Sequence, residues 1–264
     1  FQKTSSNKLN IYMTAICEEI LALSSAIRTN VLDDVNRAVE GLKCDLDGVL
    51  KYSTNIVEWL KPVVDLSNFN VYPMNGITQG LDWWHDKESR CVIMKPGDYQ
   101  WIEPKGGYGK IRYISVPSAI DGNFVDIPKD TPTAVDLAYV GSTKVRKIDI
   151  PENTEFVFYS FSKPFGVRNI RTGWIFTKKP DPRLEALTHS AKYYNYHAHN
   201  IAETIIANFD IDFVYNKLQQ KQKDVCKKYN FTPSDSVWLA STDNSAYDKF
   251  KRGERARLCL APCY

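Results

Sequence analysis

Apolar positions recur at threes and fours from about residue 10 to residue 62. Ile11, Ala15, Ile16, Ile20, Leu23 and Ile27 form one set, and Val31, Val35, Val39, Leu42, Leu46 and Leu50 another. This is the period of amphipathic helices, and Asp33 and Asp34 suit the first turn of the second one. Ile56, Trp59 and Leu60 extend the pattern until Pro62 stops it. After Asp65 the texture changes to short apolar runs between turn residues: CVIMKP (91–96), IRYISVP (111–117), TAVDLAYV (133–140), EFVFYSFS (155–162) and TGWIFTKK (172–179). Runs of this length, apolar on both faces, suit buried strands of a mainly parallel sheet. The links between them are short for helical crossovers, so some flanking helices are expected to be trimmed. Helical spacing returns over 183–209 and 213–229, and SVWLAST and RARLCLAP then read as two short strands. The pattern predicts an α/β fold, with a helical segment over 1–64, a large α/β domain over 65–181, and a linker helix with a small α+β domain over 182–264.

Composition narrows the class without naming a chemistry. The 264 residues carry 34 Lys and Arg against 31 Asp and Glu, for a formal net charge of +3. No global basic field argues for nucleic acid, and no apolar run is long enough to span a bilayer. The first residues lack the charged-then-apolar order of a secretory signal. Six cysteines at 17, 44, 91, 226, 259 and 263 include no CxxC pair. That dispersal fits reduced thiols in a cytoplasmic protein, and no metal site is expected. His189, His197 and His199 fall close together, but His197 and His199 cannot share one helix face, so surface or interface positions are expected for them. The basic run KFKRGERAR (249–257) reads as a solvated loop.

The chemistry concentrates in YSFSKPFGVRNIRTGWIF (159–176). Lys163 follows a buried strand, where a lysine is a candidate Schiff-base nucleophile. Most lysines at strand ends simply reach water, and the neighbours make the difference. Ser160 lies three residues before it and Arg171 eight after, and Arg with Ser can hold a dianionic phosphate by charge-assisted hydrogen bonds. Arg168 has no evident part in this and reads as a surface or interface charge.

SFSKPFGVRNIRTGW resembles the Schiff-base segment of fold-type I pyridoxal-phosphate enzymes, especially the class I/II aminotransferases. The other landmarks of that family recur in order. VDLAY offers Asp136 and Tyr139, with Asp136 27 residues before Lys163. The resemblance implies that Asp136 pairs with the pyridinium nitrogen, keeping the ring an electron sink, and that Tyr139 meets the phenolic oxygen. MNGITQGLDWW (74–84) is similar to the family's entry to a helix, with the amides of Gly80 and Leu81 on the phosphate. KPGDYQW (95–101) is similar to the segment carrying the ring-stacking aromatic: Tyr99, with Trp101 as second choice. RARLCLAP places Arg257 where the family grips the substrate α-carboxylate, with Arg255 as fallback.

The resemblance implies an unusually short member with the fold of these transferases. It would be a homodimer bound to pyridoxal 5′-phosphate, taking amino acid and keto acid substrates in transamination through Lys163. The sequence departs from the family at VPSAIDG (116–122). If Gly122 is the matching glycine, Ala119 stands where an asparagine should reach the cofactor, leaving Ser118 or Asn123 as substitutes. A lyase or decarboxylase on the same scaffold is the first alternative, because reaction type depends on which Cα bond is broken. A cofactor-fold binding protein without turnover is the second, and it has no use for Lys163, Asp136, Arg171 and Arg257 together.

Overall fold

The computed structural model describes residues 32–39, 55–99, 106–167, 170–191 and 193–264. The expected helical pattern over 10–31 and 40–54 lies outside these residues, as do Trp101 and Arg168. Within them the early helical segment supplies α1 (Asp33–Val39) and α2 (Asn55–Leu60).

A six-stranded sheet organises the chain. Its strands are β1 (Asn70–Met74), β2 (Cys91–Ile93), β3 (Lys110–Ser115), β4 (Thr133–Asp136), β5 (Thr154–Tyr159) and β6 (Gly173–Thr177), in the spatial order β1-β6-β5-β4-β3-β2. β2 through β5 run parallel, while β6 is antiparallel to both β5 and β1. The parallel steps from β3 to β4 and from β4 to β5 are made without an α-helix, as the short links implied. Every residue of β4 and β6 is buried, which is why their sequences are apolar on both faces rather than alternating.

The strand period of two divides this apolar content between two layers. Ile114, Val135, Val157, Trp174 and Phe176 face α2 and two later helices, α5 (Tyr196–Asn208) and α6 (Phe213–Tyr229), through Ile56, Leu60, Ile201, Ile205, Val214 and Leu218. Tyr113, Ala134, Phe158 and Ile175 face α3 (Ile77–Lys87) through Leu81 and Trp84. Gly80 of α3 lets this helix lie close to the sheet, because a Cβ there would stand 3.2 Å from the Phe158 ring.

The helix expected over 183–209 is broken in two. Asp181 caps α4 (Pro182–Glu185), accepting from the amides of Arg183 and Leu184, and Pro182 occupies its first turn. The chain runs on through a π-helical turn (Ala186–Ser190) and restarts at α5, where Asn195 accepts from the Ala198 amide. Asn195 bonds to the backbone as a cap, which favours a helix start over a helix interior. His199 is a second departure. It is 1 % exposed rather than at a surface, because it shares the packed face of α5 with Ala198, Ala202 and Ile205. His197, on another side of the helix, is exposed.

The C-terminal stretch forms a four-stranded antiparallel sheet, in the order β7 (Thr232–Pro233), β8 (Leu239–Thr242), β10 (Arg255–Cys259), β9 (Lys251–Arg252). Trp238 and Leu239 belong to the same apolar cluster as Val135 and Trp174 of the large sheet, so the two sheets share a core.

Candidate active site at one edge of the large sheet

Parallel strands end at a common edge, and ligand sites of open α/β sheets lie outside the carboxyl ends of the strands. Here Ser115 of β3 is level with Asp136 of β4, Asp136 with Phe158 of β5, and Tyr159 of β5 with Trp174 of β6. Met74 of β1 is level with Gly173 of β6. The residues that follow or precede these positions meet at the same edge, so residues nearly 100 apart in sequence become neighbours.

Asp136 ends β4 and is 2 % exposed. Both of its oxygens are held: Oδ1 accepts from the Ala138 amide at 2.8 Å, and Oδ2 from the Tyr113 hydroxyl at 2.7 Å. Burial raises its pKa, against the opposing influence of the Lys163 charge and these two hydrogen bonds. Burial and the Asp136 charge together push the Tyr113 hydroxyl well above its ordinary value, so it stays a donor. Beyond Tyr113, the Ser115 hydroxyl donates to Asp98 Oδ1 at 2.7 Å.

Lys163 lies in the turn after β5. Its Nζ stands 4.5 Å from the centre of the Tyr139 ring and 5.2 Å from that of Tyr99, so the two aromatics flank the ammonium in cation–π contact. Tyr139 is buried on the turn after Asp136. Burial alone would raise its pKa, but the charges of Lys163 and Arg257 outweigh it and leave the hydroxyl below the usual tyrosine value. Arg257 reaches in from β10, where Nη1 donates to the Ala119 carbonyl at 2.6 Å and to the Tyr139 hydroxyl at 3.3 Å. Arg255, the fallback, turns outward and pairs with Asp243.

The loop with the missing asparagine takes a different course from either expected substitute. The Ser118 hydroxyl accepts from the Ile120 amide, and the Asn123 side chain ties Asp121 to the Asp235 amide. Neither is directed at Tyr139. The contact to the tyrosine oxygen comes from Arg257.

A second cluster forms where β1 leads into α3. Gly76, at φ 83°, precedes the first turn of the helix. A Cβ on Gly76 would lie 2.8 Å from Arg171 Nη2, and one on Gly173 would lie 2.7 Å from the Gly76 Cα. Absence of side chains at both glycines thus lets the start of β6 and the Arg171 guanidinium close on the helix N-terminus. Arg171 holds the left-handed φ of 59°, an uncommon conformation for a residue with a side chain. The Asn75 Oδ1 and Thr172 Oγ1 atoms are buried here without a hydrogen-bond partner among the described residues.

This geometry corrects two expectations about the phosphate. The helix begins at Ile77, so Gly80 and Leu81 lie one turn inside it. The amides left open at its start are those of Ile77, Thr78 and Gln79. Gly80 and Leu81 instead pack on the sheet. Ser160 is 3 % exposed and braces its own loop, donating to the Thr172 carbonyl at 2.6 Å and accepting from the Ser162 amide at 3.0 Å.

The residues present fit a pyridoxal-phosphate group. They offer a buried carboxylate, a lysine between two aromatic rings, and an anion cradle made of helix amides, an arginine, a side-chain-free Gly76 and an unpartnered Thr172 hydroxyl. Tyr113 was missed from the sequence because a tyrosine in IRYISVP reads as a core aromatic. Its register opposite Ala134 on β4 is visible only in the sheet.

No family model and no curated protein matches the sequence. Solved structures do match in three dimensions. The histidinol-phosphate aminotransferase of Sinorhizobium meliloti in complex with pyridoxal 5′-phosphate is 12% identical, with 85% of this chain and 82% of that chain covered at a TM-score of 0.60. The pyridoxal-phosphate-bound C-S lyase of Staphylococcus hominis is 13% identical, with 86% and 85% covered at 0.62. The L-threonine-O-3-phosphate decarboxylase of Porphyromonas gingivalis is 15% identical, with 86% and 90% covered at 0.55. The chain therefore has the α/β fold of the fold-type I pyridoxal-phosphate enzymes, shared by aminotransferases, lyases and decarboxylases alike.

Proposed function

We propose that this chain is a pyridoxal-phosphate-dependent aminotransferase. The observation that carries the reading is the convergence of Lys163, Asp136, Tyr139 and Arg257, where Asp136 ends β4, Tyr139 and Lys163 lie on the turns after β4 and β5, and Arg257 reaches over from β10. When bound, the cofactor supplies an aldehyde for Schiff-base formation and a ring that accepts electron density from the substrate Cα. Arg171, Thr172 and the amides of Ile77–Gln79 would hold its phosphate. Tyr99 would pack against its ring, and Asp136 would keep the ring nitrogen protonated.

Arg257 takes the α-carboxylate of the amino acid and is itself oriented by the Ala119 carbonyl. Tyr139, with its lowered pKa, accepts or donates a hydrogen bond at the phenolic oxygen as the charge nearby changes. The Lys163 amine would act as general base toward the substrate Cα proton and, once protonated, as general acid returning that proton to substrate carbon. Aminotransferases among the structural neighbours support transamination as the outcome.

The test is direct. The purified chain should show the yellow absorption of a lysine-bound cofactor, and borohydride reduction should fix the label on the peptide holding Lys163. Release of keto acid from an amino acid, rather than of carbon dioxide or ammonia, separates a transaminase from a decarboxylase or lyase. Lys163→Ala should lower turnover about 10⁴-fold while still binding the cofactor non-covalently. Undiminished turnover in that variant overturns the assignment.

A further inference from the structure

The groups of the site stand on three separate loops, and one short segment bonds to all three. Lys163 lies on the turn after β5, Tyr139 on the turn after β4, and the Ala119 carbonyl that holds Arg257 on the loop after β3. The segment 234–239 connects β7 to β8. Its Ser236 amide donates to the Gly122 carbonyl at 3.1 Å, and its Asp235 amide to Asn123 Oδ1 at 3.0 Å. The two pack closely, since a Cβ on Gly122 would stand 2.7 Å from Leu239 Cδ1. On the Tyr139 turn, the Val237 amide donates to the Ser142 carbonyl at 2.9 Å, and the Ser142 and Ser236 hydroxyls lie 2.9 Å apart. Ser142 Oγ gives its one hydrogen to the Tyr139 carbonyl at 2.7 Å, so Ser236 is the donor of that pair. On the lysine turn, Trp238 Nε1 donates at 3.1 Å to the carbonyl of Pro164, the residue after Lys163.

The segment is itself held from one point. Gln222 lies on the packed face of α6 in line with Val214, Leu218 and Cys226, where an apolar side chain would be the ordinary choice. It is 4 % exposed, and its Nε2 faces the carbonyls of Ser234, Ser236 and Leu239 at 2.9, 3.0 and 2.9 Å. An amide nitrogen carries two hydrogens, so three acceptors share them, and the segment curls around this single donor. Ser236 and Leu239 also close the curl on itself, through Leu239 N to Ser236 O and Ser234 N to Leu239 O. Ser142, Ser236, Val237 and Trp238 are fully buried, so water cannot replace these bonds.

We infer that Gln222 is a positioning residue for the reaction, acting through segment 234–239 to hold the Lys163 turn, the Tyr139 turn and the Ala119 loop in one fixed arrangement. This rests on the proposed aminotransferase reading, whose groups it aligns. Gln222 touches none of the reacting groups itself. Its effect reaches them because groups that act together tolerate little displacement, and a shift of about 1 Å from a remote change can cost about 10²-fold in rate.

Gln222→Met keeps the length of the side chain and removes both donors. In the unloaded chain, hydrogen exchange followed by mass spectrometry should rise together in peptides covering 118–123, 137–142 and 163–166. In the holoenzyme, the pH midpoint of the yellow absorption should move by about half a unit or more, a change that loss of stability alone does not produce. The same variant should lower kcat by about 10–10²-fold. Ser236→Ala and Trp238→Phe each remove one bond from the segment, and each should move the midpoint in the same way. Added to Gln222→Met, either should lower kcat by much less than it does alone, as expected of residues acting in one network. An unmoved midpoint in Gln222→Met, or losses that simply add, overturns the inference. If Gln222→Met does not fold, the other two variants decide, and unmoved midpoints in both overturn it. A wild-type chain that takes up no cofactor at Lys163 sinks the functional reading instead, and hydrogen exchange then still decides whether Gln222 holds the three loops.

Discussion

The two edges of the large sheet treat charge in opposite ways. At the edge where β4 and β5 begin, charges are matched. Arg90 bridges Glu88 and Glu155 at 2.8 and 2.7 Å, and Lys87 pairs with Asp181. Glu155 and then Glu88 hold the Arg90 pKa above its usual value. Burial would raise the Glu88 carboxyl, but its bonds to Arg90 leave it lowered. A cavity of about 500 Å³ opens there, lined in part by Pro132, Thr154, Glu155 and Asp181, and its Lys87, Glu155 and Asp181 already have protein partners. At the other edge Lys163, Arg171, Arg252 and Arg257 have no carboxylate within ion-pair distance among the described residues. A buried or half-buried cation without a counter-ion is costly. An edge that keeps three of them half-buried, with the exposed Arg171 beside them, suits anions that arrive from outside, whereas Arg90, Glu88, Glu155, Lys87 and Asp181 are paired within the fold.

Substitutions at each edge test the contrast. The largest effect is expected at Asp136. Asp136→Asn should lower turnover by about 10²–10³ yet melt no lower than the wild type, because it removes a carboxylate whose ionised form is disfavoured by burial. A matching loss of melting temperature would make Asp136 a structural residue and blur the difference between the edges.

His199 gives the next effect. It lies behind the site against Trp174, with neither ring nitrogen hydrogen-bonded, and burial lowers its pKa to about 4 from 6.5. The unfolded chain binds this proton at a higher pH than the folded one. Stability is therefore full above about pH 6.5 and is lost as pH falls toward 4, by at most about 3 kcal/mol. Denaturant unfolding of His199→Phe across that range should show a flatter pH profile; an unchanged profile assigns the acid sensitivity to other groups.

At the matched edge, Arg90→Leu should lower stability by about 1–3 kcal/mol, since it leaves the buried Glu88 uncompensated, with kcat/KM within twofold of the wild type. A large catalytic loss there would break the contrast. The smallest effect is expected from Gly76→Ala, which strains a positive φ and presses on the Arg171 guanidinium. Cofactor affinity, measured by titrating the unloaded chain, should fall about tenfold, with α3 retained by circular dichroism.

Much of this arrangement was legible before any coordinates. Lys163, Asp136, Tyr139 and Arg257 were singled out by the resemblance of their short, ordered segments to a known family, and the fold brings them together. The mainly parallel sheet followed from runs apolar on both faces, and the trimmed crossovers from link length. What escaped depended on register or on chain crossing. Where α3 begins could not be read from MNGITQG, since it is fixed by Gly173 closing on Gly76, 97 residues away. The break between α4 and α5 was hidden under a continuous helical pattern, and the hydroxyl expected of Ser160 is bound to Thr172 within its own loop.

By itself the sequence determined the order of the buried strands and of the later helices, because apolar period and local residue spacing are properties of neighbours along the chain. Only the tertiary structure decided which charges find partners. Arg90 and Arg252 are both arginines near short strands. Only one has glutamates folded against it; the backbone of the other is held between the Gly97 and Ile120 loops, with no carboxylate in ion-pair distance among the described residues. The Glu155 partner of Arg90 is distant in sequence, so the fold, not the residue type, separates a paired charge from an unpaired one.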